Sequence, residues 1–218
     1  NKVPMEKKVL LKIAGAELDV LNDALCPAPG MGDGSINMAR THAKAQPDRY
    51  VMPNQYENEQ NVRAHYETTG PEIWKQTEGR VTHFFASLGT CGTVMGVGKF
   101  LKEKNPKIKV IAVQPTEGHD VPGIRNVGQL DVAKLFDRTV VDEVMEIDHE
   151  LAYRRAVDLA QSEGLLAGAS AALICEGARR VVERTPVGVG VMIFWDNVFK
   201  YTSNMVKHLP ELGEGTSA

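Results

Sequence analysis

The sequence predicts an α/β fold with a mostly parallel sheet, and three observations point to it. An apolar run at 81–88, a glycine-rich turn, an amphipathic stretch at 93–104 and a second apolar run at 108–114 form a β-α-β pattern. Helical patterns at 148–163 and 169–184 lead into a further apolar run, GVGVMIFW, which continues the alternation of helix and strand. The chain has 218 residues, 43% hydrophobic and 24% charged, which is enough to bury a full core.

The elements follow in order. Val9, Leu10 and Ile13 recur at helical spacing within 5–14, and Gly15 is placed as the cap that ends this helix. ELDVL (17–21) reads as a short strand and CPAPGMGDG as a turn-rich loop. SINMARTHAKAQP reads as a helix opened by Ser35 as N-cap and stopped by Pro47. RYVMPNQY (49–56) reads as a second strand, followed by two helical segments, NEQNVRAHYETTG and PEIWKQTEG.

Bulk properties exclude some functions. A net charge of -3 gives no electrostatic footprint for nucleic acid. Apolar runs such as GLLAGASAALIC fall short of membrane-spanning length, so a soluble protein is expected. Cys26, Cys91 and Cys175 form neither a disulfide framework nor a C-x-x-C pair, which suits reduced thiols in the cytoplasm. No two histidines stand at the i, i+4 spacing of a metal-binding helix, so no metal site is expected.

The stretch richest in chemistry is SLGTCGTVMGVG, residues 87–98. In an open α/β sheet, ligands collect beyond the carboxyl ends of strands, where turns feed helices. Backbone N–H groups of GTCGT and the hydroxyls of Thr90 and Thr93 can converge there on an anion. The turn is neither G-x-x-x-x-G-K-[ST] nor G-x-G-x-x-G, which weakens a nucleotide site. A second reading stands beside the phosphate cradle: glycine serving only a tight turn and close helix packing.

The segment TTGPEIWKQTEGRVTHFFASLGTCGTVMGVGKFLKEKNPKIKVIAVQP resembles the cysteine synthase and cystathionine β-synthase family of pyridoxal-phosphate (PLP) enzymes. That family shows T-T-G-P-E-I-W, G-T-G-G-T and K-x-x-N-P in this order. NQYENEQN is similar to its Q-F-x-N-P-x-N, EGLLAGASAAL to its E-G-[IL]-L-x-G-x-S-[SA]-G, and FWDNVFKYTSN to its L-P-D-S-x-x-x-Y-x-[ST]. The resemblance implies the PLP fold type II, tryptophan synthase β-like. It also implies that Gly89, Thr90, Cys91, Gly92 and Thr93 hold the cofactor phosphate and that Ser170 meets the pyridine nitrogen. A hydroxyl there makes a milder electron sink than a carboxylate would, suited to β-elimination through an aminoacrylate.

For substrate, the resemblance implies that Gln55 binds the carboxylate, with Tyr56 in place of the family's phenylalanine. Gly123 falls in the mobile G-I-G loop, where Arg125 replaces the second glycine. Arg125 then either faces water, the reading favoured here, or meets an anionic substrate. Cys91 stands where the family has glycine; a left-handed backbone there costs about 1–2 kcal/mol. Its thiol is either a small residue the turn tolerates, the reading favoured here, or a group activated by the helix N-terminus.

The family's Schiff-base lysine lies in an S-x-K-D-R motif, followed by T-S-G-N-T-G, and neither is found in this chain. The resemblance therefore implies that residues 1–48 finish a small N-terminal domain and 49–218 form the large PLP-binding domain. It implies that this chain is part of a longer enzyme and is inactive alone. The implied reaction is replacement on O-acetylserine or O-phosphoserine by sulfide to give cysteine, in a cytoplasmic homodimer. Cystathionine β-synthase and a non-catalytic PLP- or anion-binding paralogue are the alternatives.

Overall fold

The computed structural model describes residues 3–21, 34–185 and 188–215. Cys26 and the turn-rich stretch from it to Asp33 lie outside the described residues. Two helices come first, α1 (Met5–Ile13) and α2 (Ser35–Ala45). A helical run then joins α3 (Gln60–Ala64), a π-turn (His65–Thr69) and α4 (Gly70–Gln76). After it come β1 (His83–Ser87), α5 (Gly92–Lys104), β2 (Lys109–Pro115) and β3 (Glu143–Ile147). The remaining elements are α6 (His149–Glu163), α7 (Ala169–Arg184), β4 (Gly190–Met192) and α8 (Thr202–His208).

Among the described residues the four strands form one parallel sheet in the order β3-β2-β1-β4. Successive strand residues point to opposite faces, and both faces are covered. Phe84, Ala86, Val110 and Ala112 pack with Val94, Val97 and Leu101 of α5 on one side. Phe85, Ile111 and Val113 pack with Tyr153 of α6 and Leu173 and Ile174 of α7 on the other. β2 and β3 lie to one side of β1 and β4 to the other, so the strand order reverses at β1. Such a reversal opens a crevice at the carboxyl ends of the strands it separates.

The polar fringe of this core includes one deeply covered charge. Glu176 on α7 has a side chain only 1% exposed, and Arg155, Arg179 and Arg180 surround its carboxylate at 2.9–3.0 Å. Hydrogen bonds led by that from Arg179 outweigh burial and hold its pKa down at about 2.

The β-α-β unit of residues 81–115 and the helices α6 and α7 match the reading of the sequence within a few residues. Other expectations are corrected. ELDVL is not a strand, because most of these residues are exposed and no strand among the described residues pairs with them. RYVMPNQY is not one either: Pro53 cannot donate to a ladder, and Asn54 turns the chain with φ 51°. Gly34, not Ser35, caps α2, and Ser35 is its first helical residue. The two helical segments merge, because Pro71 sits in the first turn of α4, where its missing N–H costs little. The edge strand β3, EVMEI, with two acidic residues among three apolar ones, was not read from the sequence.

Candidate functional site

A cavity of about 330 Å³ opens where β1 and β4 diverge. Its wall carries Gln55, Tyr56, the run Gly89–Thr93, Gly123 and Ser170, which the sequence singled out, whereas Arg125 does not line it.

The turn from β1 into α5 supplies the densest set of donors. Cys91 caps the 13-residue helix α5 with φ 70°, so the left-handed backbone expected of a glycine position is adopted by a side-chain residue. The positive end of the α5 dipole and its first-turn N–H groups therefore lie at the cavity wall. The Cys91 thiol is buried, and burial pushes its pKa up to about 12, with Arg125 opposing. This overturns the activated-thiol reading of the helix N-terminus, which needs solvent access.

Two hydroxyls of the turn are held from behind. Asn61 Nδ2 donates to Thr90 Oγ1 at 2.9 Å and to the Gln55 carbonyl at 2.8 Å. His65 Nε2 lies 2.9 Å from Thr93 Oγ1, while its Nδ1 lies 2.9 Å from Thr69 Oγ1. Burial lowers the His65 pKa, which favours a neutral ring with one donor and one acceptor nitrogen. Because Thr90 accepts from Asn61, its own O–H stays available to donate. These supports exist because α5 comes very close. A Cβ on Gly96 would lie 2.4 Å from the Val62 carbonyl oxygen, and one on Gly92 would lie 2.0 Å from Asn61 Oδ1. Sequence reasoning missed Asn61 and His65, although Asn61 ends the quoted NQYENEQN motif.

Ser170 stands in the first turn of α7, buried, and its hydroxyl has no hydrogen-bond partner among the described residues. The opposite rim is built from FWDNVFKYTSN and α1. Lys7 Nζ donates to Tyr201 Oη at 2.9 Å, and Tyr201 O–H donates to Asp196 Oδ2 at 2.6 Å. The other oxygen, Asp196 Oδ1, is buried at the cavity without a partner among the described residues. Burial lowers the Lys7 pKa against the pull of Asp196. None of these three was named from the sequence, though Asp196 and Tyr201 fall inside a quoted motif.

Arg125 is 4% exposed, which overturns the reading that it faces water. Its Nη2 donates to Tyr56 Oη at 2.8 Å, and the guanidinium lies 4.8 Å from the Tyr56 ring centroid. Two of the residues that depart from the family pattern thus pair with each other.

PLP fits this arrangement. The volume lies in the range of small-ligand sites. A turn rich in N–H and O–H groups stands at one place on the wall, and the buried Ser170 hydroxyl stands at another. Four or five hydrogen bonds to a phosphate at roughly 1.5–3 kcal/mol each would hold one end of such a ligand.

Comparison with known proteins gives the same direction. The family model described as "Pyridoxal-phosphate dependent enzyme" matches residues 1–195. Cysteine synthase B of Salmonella typhimurium is 35% identical over 206 residues, which is 94% of this chain and 66% of that protein. Cysteine synthase of Aquifex aeolicus is 39% identical over 204 residues, 91% of this chain and 61% of that protein. The chain thus spans just under two thirds of the length of these curated relatives. The crystal structure of an O-ureido-L-serine synthase superposes with a TM-score of 0.81 at 26% identity, covering 98% of this chain and 67% of that one. The cysteine synthase of Entamoeba histolytica does so with a TM-score of 0.75 at 28% identity, covering 95% and 65%.

Proposed function

Because the chain belongs to the pyridoxal-phosphate dependent enzyme family, we propose that its cavity holds PLP and serves β-replacement on an activated serine. The observation that carries this reading is the convergence of the Gly89–Thr93 turn and the unpartnered Ser170 hydroxyl on one cavity at the reversal of the sheet. In this reading the backbone of residues 89–93 and the hydroxyls of Thr90 and Thr93 grip the phosphate. Ser170 donates to or accepts from the pyridine nitrogen. When bound, the cofactor supplies an electron sink for breaking the bond at the β-carbon.

The chain's own side chains orient and enclose. Gln55 meets the substrate carboxylate, and Tyr56, steadied by Arg125, packs beside it. Gly123, with φ 86°, lets the 121–124 segment approach the ligand. Asn61 and His65 keep the two threonine hydroxyls aimed. Sulfide as second substrate, giving cysteine, fits the cysteine synthases among the relatives, and O-acetylserine or O-phosphoserine fits as donor. We further propose that residues 1–48 belong to a smaller domain and 49–218 to the cofactor-binding one, in a cytoplasmic homodimeric enzyme. Among the described residues no helix is long and apolar enough to cross a membrane.

Trp195 lines the cavity, so its fluorescence reports occupancy. PLP titrated into this chain should quench it saturably, and pyridoxal without phosphate should bind at least tenfold more weakly. Equal binding of the two would remove the phosphate grip from residues 89–93. The longer protein, assayed with O-acetylserine or O-phosphoserine plus sulfide, should form cysteine. Turnover only with serine and homocysteine would replace the proposed reaction by cystathionine synthesis.

A further inference from the structure

On the far side of the 116–124 segment, α6 and α8 bring together three residues that the sequence keeps apart. His149 and Glu150 open α6, and His208 closes α8. One ligand atom from each lies within 4.8 Å of the others. Glu150 Oε1 is 2.8 Å from His208 Nδ1 and 3.4 Å from His149 Nε2. We infer that His149, Glu150 and His208 form a binding site for a divalent transition-metal cation of the Zn²⁺ type.

Three features carry this. The first is the placement of His208. Its Nε2 lies 3.1 Å from Asp120 Oδ2, and its ring stacks on Tyr153 at 4.2 Å with the planes 10° apart. Asp120 is itself held, by a salt bridge from Lys207 and by the Tyr153 O–H donating to its backbone carbonyl at 2.7 Å. A metal-bound histidine typically donates its second ring N–H to such a carboxylate, which turns the other nitrogen's lone pair toward the ion. With Nε2–H given to Asp120, that lone pair faces a carboxylate oxygen, and only a proton or a metal cation can lie between them.

The second feature decides between those two. His149 makes no good hydrogen bond: its Nδ1 is buried without a partner among the described residues, and its Nε2 contact of 3.4 Å is long. A proton shared by His208 and Glu150 leaves this ring without a strong contact, whereas a metal ion takes its Nε2 as a third ligand, with Nδ1 still without a partner among the described residues. The third feature is spacing. Tetrahedral Zn²⁺ with bonds of about 2.0–2.1 Å places its ligand atoms about 3.4 Å apart. The His149–Glu150 distance of 3.4 Å already matches, the His208–Glu150 distance of 2.8 Å needs to open by about 0.6 Å, and the two histidines, within 4.8 Å of each other, need to close by up to about 1.4 Å. The Glu150 side chain is 46% exposed, so it can make the opening shift, and it leaves an entry path and room for water as fourth ligand. Two imidazoles and a carboxylate suit Zn²⁺ rather than Mg²⁺ or Ca²⁺.

An ion here would tie α8 to the segment that leads from Asp120 to Pro122 and Gly123 at the cavity wall. The site does not depend on the proposed cofactor, and its test uses none. Zn²⁺ titrated calorimetrically into the full chain should bind one ion. Glu150→Gln and His149→Gln should each weaken it at least tenfold, and Asp120→Asn about 10–100-fold. Zn²⁺ should raise the thermal midpoint of the parent chain and not that of Glu150→Gln. Co²⁺ should give a visible d–d band without thiolate charge transfer. The proposal is overturned if no stoichiometric binding occurs, if binding survives Glu150→Gln unchanged, or if Co²⁺ shows thiolate ligation. Glu150→Gln is exposed and conservative, so its fold is expected to persist and can be checked by circular dichroism.

Discussion

The helices α1 and α5 both display apolar residues at helical spacing, yet they are held in opposite ways. No residue of α1 is buried: Ile13 is 77% exposed, and Val9 and Leu10 are about half exposed. It is fastened by polar contacts. Glu6 accepts from the Thr202 and Ser203 hydroxyls at 2.5 and 2.8 Å, and Lys7 reaches Tyr201. In α5, eight of the thirteen residues are buried, among them three glycines that let β-strands and the α3 run come to contact distance. Periodicity alone does not distinguish the two helices. What differs is whether another element stands opposite the apolar face, and that decides which substitutions matter.

The largest effect is expected where backbone meets backbone. Gly96→Val should destabilise the protein by about 3 kcal/mol or prevent folding, since its side chain would be driven into the Val62 carbonyl. Ile13→Ala on α1 should stay within about 0.5 kcal/mol by urea unfolding. Comparable losses from the two would erase the distinction.

Next comes Glu176, whose carboxylate is enclosed by three arginines. Removing its charge as Glu176→Gln should cost about 1–3 kcal/mol, because a buried carboxylate loses its charge-assisted hydrogen bonds to three partly exposed arginines. Its pKa is depressed to about 2, so its contribution is present above the ordinary carboxylate range and fades as pH falls toward 2. The parent chain should therefore lose stability between about pH 4.5 and 2 more steeply than Glu176→Gln does.

A smaller effect is expected at Cys91. Cys91→Gly should raise stability by up to about 1 kcal/mol, since relief of the left-handed strain exceeds the loss of a small buried group. Under native conditions Cys91 should resist thiol reagents that modify the half-buried Cys175. Rapid native modification of Cys91 would mean that the turn opens readily.

The smallest is the polar fastening of α1. Burial opposes ionisation of Glu6, but hydrogen bonds led by that from Thr202 hold its pKa down at about 2. Its contribution is lost as pH falls from about 4.5 toward 2, and Glu6→Gln should reproduce that loss at pH 7. Amide exchange confined to α1 should report it, with the sheet unaffected.

Much of the fold was legible because its central elements are self-consistent. β1, α5 and β2 combine buried runs, a glycine turn and helical spacing, so local preference and tertiary burial agree. The readings that failed lacked that agreement. Leu18 and Val20 alternate like a strand but have no strand to pair with among the described residues, and Pro53 removes a donor within RYVMPNQY. β3 was invisible because its acidic residues make sense only at a sheet edge, where Glu143 accepts two bonds from Arg184 at 2.6 Å. The site was half legible. Glycines, threonines and Ser170 announce themselves by type and motif, whereas Asn61, His65 and Lys7 are ordinary residues until folding places them behind or across from the turn.

By itself the sequence determined the α/β alternation, the position of the turn at the end of β1 and the chemical character of the residues that line the cavity there. These follow from short-range physics: side-chain periodicity, glycine's tolerance of close approach and the donors a turn exposes. Only the tertiary structure decided that the strand order reverses at β1, that Arg125 is buried against Tyr56 rather than hydrated, and that His149 and His208 meet across α6 and α8. Those are contacts between residues far apart in the chain, and their free energy depends on which surfaces exclude water together.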